Sequence, residues 1–116
     1  MTLSDENEKL MQPIADIFQS TGFNTSEVFS VLKYILIDET PSFYGITVEK
    51  GFRERFEKFR ETYDQVMQSV DRSAHYDCKV ALVQRLVGLK LSLHYKIELG
   101  RRIYDGPTLA EIARLF

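Results

Sequence analysis

Apolar residues recur along most of the chain at helical intervals. Leu10, Met11, Ile14, Ile17 and Phe18 fall at spacings of one, three, three and one, which places them on one helical face. Pro13 interrupts that face, so the firm helix is expected to start near Gln12, with residues 1–9 frayed and Thr21-Gly22 as its stop. Asn24 marks the next start as a cap, with Glu27 three residues on and Phe23 and Val28 as a hydrophobic staple. From Ser26 to about Asp38 the chain is apolar on nearly every side except at Lys33, the signature of a buried helix. Pro41 ends it. Pro41 to Gly45 reads as a loop whose large side chains, Phe43 and Tyr44, pack down onto the domain and are candidates for touching a partner.

The clearest pattern follows. Phe52, Phe56, Phe59, Tyr63, Val66 and Val70 are spaced four, three, four, three and four, a heptad-like seam. Charges of both signs fill the positions between them, and Thr47 is the expected cap. This predicts an amphipathic helix over 52–70 whose aromatic stripe buries against other helices or a second subunit.

The segment from Ala74 to Tyr104 supports two readings. Val80, Val83 and Val87, with Leu82, Leu86, Leu89, Leu93 and Ile97, keep helical spacing. From Leu89 to Leu99, however, every second residue is apolar, as in a half-buried strand, with Gly88 and Gly100 flanking the run. Leu, Lys and Glu favour helix, only Ile97 is β-branched, and no second clean alternating run offers a pairing partner. A continuous helix is therefore expected, with a strand at about 89–99 as the alternative. Asp105-Gly106-Pro107 stops the element, and Thr108 to Glu111 is a capping-box signature opening a short final helix.

The fold class that follows is all-α: one domain over residues 1–116, a compact bundle of four to five helices. The alternative is α+β, with the strand at about 89–99. A chain of 116 residues with 44% hydrophobic and 28% charged residues can bury a core without disulfides or metals. The segments starting at Ser26 and Ala74 are both apolar on most sides, and a symmetric dimer would cover what one chain leaves bare.

Charge and cysteine content narrow the function classes. Fifteen basic and seventeen acidic residues are well mixed, which weighs against a phosphate-backbone partner. The single cysteine, Cys78, makes no internal disulfide and fits a reducing compartment. The polar, acidic start lacks the pattern of a secretion signal, and no apolar run is long enough for a membrane, so a cytoplasmic location is expected.

Candidate chemistry is sparse. His75 and Cys78 stand three apart, a spacing that places two metal ligands on one helical face. His94 points about 100° away from His75 around a continuous helix, so one helix does not gather all three. A Cys–His nucleophile pair would need an orienting group, and Asp77, as a neighbour on a helix, does not face Cys78. No glycine-rich phosphate loop, nucleophile elbow or HExxH pattern is present. Arg53, Arg55, Arg60, Arg101 and Arg102 would form a basic strip, diluted by Glu54, Glu57, Glu61 and Glu98.

The expectation is thus a non-enzymatic protein that binds another protein, in an interaction or regulatory role, as a helical homodimer. No catalytic residue, metal or cofactor is assigned. The candidate interface is Phe52, Phe56, Phe59, Tyr63 and Val66, with Phe43 and Tyr44 as a partner-contact loop. The alternatives are a helical bundle that binds a ligand or metal, and a DNA-associated accessory protein or transcription regulator.

Overall fold

The first helix, α1 (Asp5–Thr21), starts earlier than its proline implies. Ser4 caps it by accepting from the Asn7 amide at 3.2 Å, and Asp5, Glu6 and Glu8 place negative charge in its first turn. These features outweigh Pro13, which sits inside the helix on an exposed side, as does Lys9, whose carbonyl loses the proline's missing N–H. Gly22, at φ 67°, ends α1 in the left-handed conformation that glycine adopts without strain. A computed structural model describes residues 3–43, 50–104 and 106–116.

Helix α2 (Thr25–Ile37) opens on the expected capping box. The Glu27 amide donates to Asn24 Oδ1 at 2.9 Å, and the Asn24 amide donates to Glu27 Oε1 at 3.0 Å. The staple residues Phe23 and Val28 are both buried. Helix α3 (Phe52–Ser69) follows from Gly51, and the cap expected at Thr47 lies outside the described residues. A 3-10 turn at Arg72–Ala74 leads into α4 (His75–Lys90), then α5 (Leu93–Tyr104) and the short α6 (Leu109–Ala113). Thr108 Oγ1 caps α6 by accepting from the Glu111 amide at 3.2 Å.

The fold is an all-α bundle, and the described residues contain no strand. One element differs from both sequence readings. The segment expected as a single helix, or as a strand over 89–99, is two helices. The chain leaves α4 at Leu91, whose backbone is extended (φ −111°, ψ 163°), and re-enters a helix after Ser92, whose carbonyl accepts from Tyr95 and Lys96. Leu91 is buried in this joint.

The core forms where α1, α2, α3 and α4 meet. Phe52, Phe56, Phe59, Tyr63 and Met67 line the inner face of α3. Phe59 meets Phe18 and Phe23 at 6.3 and 6.1 Å, and Phe56 meets Tyr34 edge-on at 5.2 Å. Rings offset or edge-to-face in this way add about 0.5–1.5 kcal/mol per pair beyond the area they bury. Helix α4 contacts α1, α2 and α5, which accounts for its nearly all-round apolar surface. In the two segments expected to want outside cover, most apolar side chains of α2 and α4 are buried within the one chain, while Ile37, Leu89, Leu93, Ile97 and Tyr104 stay exposed. Val28, Val31, Leu32, Ile35 and Leu36 of α2 are buried, as are Val80, Leu82, Val83, Leu86 and Val87 of α4.

Candidate interaction surface

Helix α5 is clamped on one side and bare on the other. Its inner face carries Tyr95, Leu99 and Ile103 at spacings of four, and Leu99 is 2% exposed. Tyr95 packs on Phe29 of α2 at 5.2 Å and stacks on Phe116 at 6.5 Å. The hydroxyl of Tyr76 on α4 donates to the Pro107 carbonyl at 2.5 Å and pins the connection to α6.

The outer face carries Leu93, Ile97 and Tyr104, at 68%, 47% and 89% exposure. At about 100° per residue these three lie within an arc of roughly 40°, with Gly100 about 20° to one side. The four positions, 93, 97, 100 and 104, are spaced four, three and four, so they form one continuous seam. Leu89, exposed at the end of α4, precedes it. Scattered apolar residues on a surface are ordinary, whereas these are aligned in a row on one helix.

Gly100 sharpens this. A Cβ added there would meet nothing within 4 Å, and its backbone is helical rather than left-handed. Neither packing nor backbone geometry inside this chain calls for glycine, which in a helix interior costs about 1 kcal/mol relative to alanine.

Cations border the seam. On the helical wheel Lys96 lies on one edge and Arg101 on the other, both exposed. Arg101 pairs with Glu98 at 3.2 Å, behind the seam. Arg101, Arg102 and Arg114, with Pro107 and Glu111, line an open groove of 520 Å³ between α5 and α6. Residues 90–116 carry five basic and three acidic side chains, against ten and fourteen in residues 1–89, so this end is positive on a chain that is negative overall.

The residues singled out by sequence fall elsewhere. Phe52, Phe56, Phe59 and Tyr63 are at most 3% exposed, so they are core and offer no area to a second subunit. Val66 is half-buried against the same core. Phe43 packs on Phe52 and Phe56 at 5.7 and 5.9 Å, with Arg53 over its ring, while Tyr44 lies outside the described residues. Of the five arginines, Arg53, Arg55 and Arg60 are on α3 and Arg101 and Arg102 on α5. Arg55 joins Glu27, and Arg60 lies 3.5 Å from Asp64 on the α3 side of the bundle, far along the chain from Arg101 and Arg102.

His75 and Cys78 are not brought together as a site. His75 Nε2 lies 3.0 Å from the carbonyls of both Met67 and Val70, so it closes the end of α3. Cys78 is fully buried, and burial, helped by Asp77, pushes its thiol up from the usual range, which weakens it as a nucleophile. His94 stands exposed on α5. Among the described residues no group of three His, Cys, Asp or Glu side chains is placed to hold a metal. A cleft of 300 Å³ beside His75 is lined by Asp38, Tyr63, Asp64 and Lys79. Tyr63 donates to the Ile35 carbonyl and Tyr34 to Asp64. No described helix is long and apolar enough to cross a membrane.

Sequence reasoning missed Leu93, Ile97 and Tyr104, although the signal was present. The alternation read as a strand is split by the joint at Leu91 and Ser92: Leu89 ends α4 exposed, and on α5 Tyr95 and Leu99 face in while Leu93 and Ile97 face out, each pair four residues apart. The fold and this surface define an all-helical domain with one exposed amphipathic helix. Compared with protein-family models, curated proteins and solved structures, the chain matches none.

Proposed function

We propose that this chain is a non-enzymatic protein-interaction module that binds another protein through the outer face of α5. The observation that carries the reading is the seam of Leu93, Ile97 and Tyr104, exposed on a helix whose opposite face is fixed by Leu99 and the Tyr95–Phe29–Phe116 cluster. A rigid helix presents its anchors without an ordering cost on binding, which is how small apolar patches acquire useful affinity. The chain acts as a monomer in this reading, because the stripe that pointed to a homodimer is spent on its own core.

The test is site-specific photocrosslinking in the native host. A photoreactive residue at Ile97 gives a discrete adduct with another protein, and the same residue at Lys58, on the exposed side of α3, does not. Absence of an adduct at Ile97, or the same adducts from both positions, refutes the reading.

A further inference from the structure

Resting on that reading, we infer that the partner element is an amphipathic α-helix whose apolar seam is flanked by acidic side chains, and that it crosses α5 closely at Gly100. Three features converge on this occupant. The seam at 93, 97, 100 and 104 has the spacing with which one helix meets another, and its length is about 16 Å, or three turns. Within it, the one position without a side chain is Gly100, where this chain has empty space in place of a packing need. Small residues at a crossing point let two helix backbones approach, and the larger Leu93, Ile97 and Tyr104 on either side then interdigitate with the partner.

Charge selects the partner's flanks. Lys96 lies on one edge and Arg101, with Glu98 behind it at 3.2 Å, on the other, and the groove of Arg101, Arg102 and Arg114, with one acidic residue, Glu111, continues the net positive field toward α6. Glutamates or aspartates beside the partner's seam meet these cations across the rim, where complementary charge steers association and fixes register. A two-fold pairing of α5 with a second copy would set the same cations against each other. An anionic membrane would also answer the charge, but only three side chains are available to insert, and a glycine at the centre of the seam adds nothing to insertion.

Two synthetic helical peptides test this, each three turns long with a leucine–alanine seam, one flanked by glutamate and the other by lysine. The full chain is titrated into each by fluorescence anisotropy at low salt. The glutamate peptide binds saturably, at least about tenfold tighter than the lysine peptide, and weakens as salt rises. Ile97→Asp abolishes binding. So does Gly100→Leu, which fills the crossing point from a position where an added Cβ meets nothing within 4 Å. Both variants keep the helical circular dichroism and the melting temperature to be expected of surface changes.

Four outcomes overturn the inference. They are equal or no binding of the two peptides, undiminished binding by Gly100→Leu, capture by phosphatidylserine vesicles but not by the peptide, and a dimer in sedimentation that Ile97→Asp dissolves. A protein adduct from the photoreactive residue at Ile97, combined with failure of the glutamate peptide, removes the helix assignment and leaves the broader interaction reading standing.

Discussion

Arg55 grips Glu27 with both terminal guanidinium nitrogens, at 2.6 and 2.7 Å, so the carboxylate that closes the α2 capping box also receives a fork from α3. Glu27 is 2% exposed, the only buried charged residue among the described residues, and the Arg55 guanidinium also lies near the rings of Phe23 and Phe52. One carboxylate thus orders the start of α2 and sets the position of α3 against it. Removing a single partner of such a pair is costly because the other charge stays buried. Arg55→Met is expected to destabilise the fold by about 3 kcal/mol in urea denaturation. In a Glu27→Gln background, where the amide still reaches the Asn24 backbone, the same change costs less by at least about 1 kcal/mol. Equal costs in both backgrounds would show that the pair is not coupled.

Tyr34 couples α2 to α3 through pH. Its hydroxyl donates to Asp64 at 2.7 Å, and burial, with that carboxylate beside it, pushes the phenol up to about 12 from an ordinary value near 10. Tyr63, buried in the same core, is raised as well. A phenol that holds its proton longer in the folded state gives stability that is fully present below pH 10. That stability is lost as pH rises from about 10 through about 12, since only the unfolded chain ionises readily there. Ultraviolet titration should therefore show a class of tyrosines that ionises late or only on unfolding. Tyr34→Phe shrinks that class, flattens the loss of stability above pH 10, and costs about 0.5–1.5 kcal/mol at neutral pH for the hydrogen bond.

His75 is a structural histidine in this fold. Both atoms facing its Nε2 are carbonyl oxygens, so that nitrogen must donate, and the proton sits on Nε2 in the neutral ring. Nitrogen chemical shifts at neutral pH should report this tautomer. His75→Ala should lower stability by about 1 kcal/mol and speed amide exchange over the last turn of α3. With Nε2 occupied and Cys78 buried, stoichiometric zinc should leave the melting temperature unchanged. A rise in melting temperature that depends on His75 and Cys78 would restore the metal-binding alternative.

How much of this was legible in the sequence follows from the kind of signal each part sends. The aromatic seam of α3 and the Asn24–Glu27 box were readable because burial and capping are local, periodic constraints. Their use was less so. Phe52 to Tyr63 carries the same spacing whether it meets its own chain or a second copy, and only the three-dimensional count of faces assigns it to the core. The start of α1 lies before Pro13 because the Ser4 cap and the acidic first turn hold the helix there. The α4–α5 joint was hidden for a different reason. Nothing in residues 89–99 breaks a helix by composition, yet the backbone is extended at Leu91, whose side chain is buried. A break resets the helical phase, so a single phase carried through 74–104 merges two faces that the structure separates.

That separation gives the last prediction, which needs no partner. If Leu93 and Ile97 face out and Leu99 faces in, neighbouring leucines on one short helix must differ sharply in worth. Leu99→Ala removes a side chain that is 2% exposed and should cost about 2–5 kcal/mol, the range for buried leucines. Leu93→Ser and Ile97→Ser each remove exposed apolar surface and should shift stability by no more than about 0.5 kcal/mol. Gly100→Ala should stabilise by up to about 1 kcal/mol, because the added methyl meets nothing within 4 Å and the unfolded chain loses freedom. A strand over 89–99 would place Leu93, Ile97 and Leu99 on one face and make all three substitutions comparably harmful. Thermal melts of the four variants distinguish the two arrangements, and the stabilised Gly100→Ala protein would show that glycine at this position serves something other than the fold.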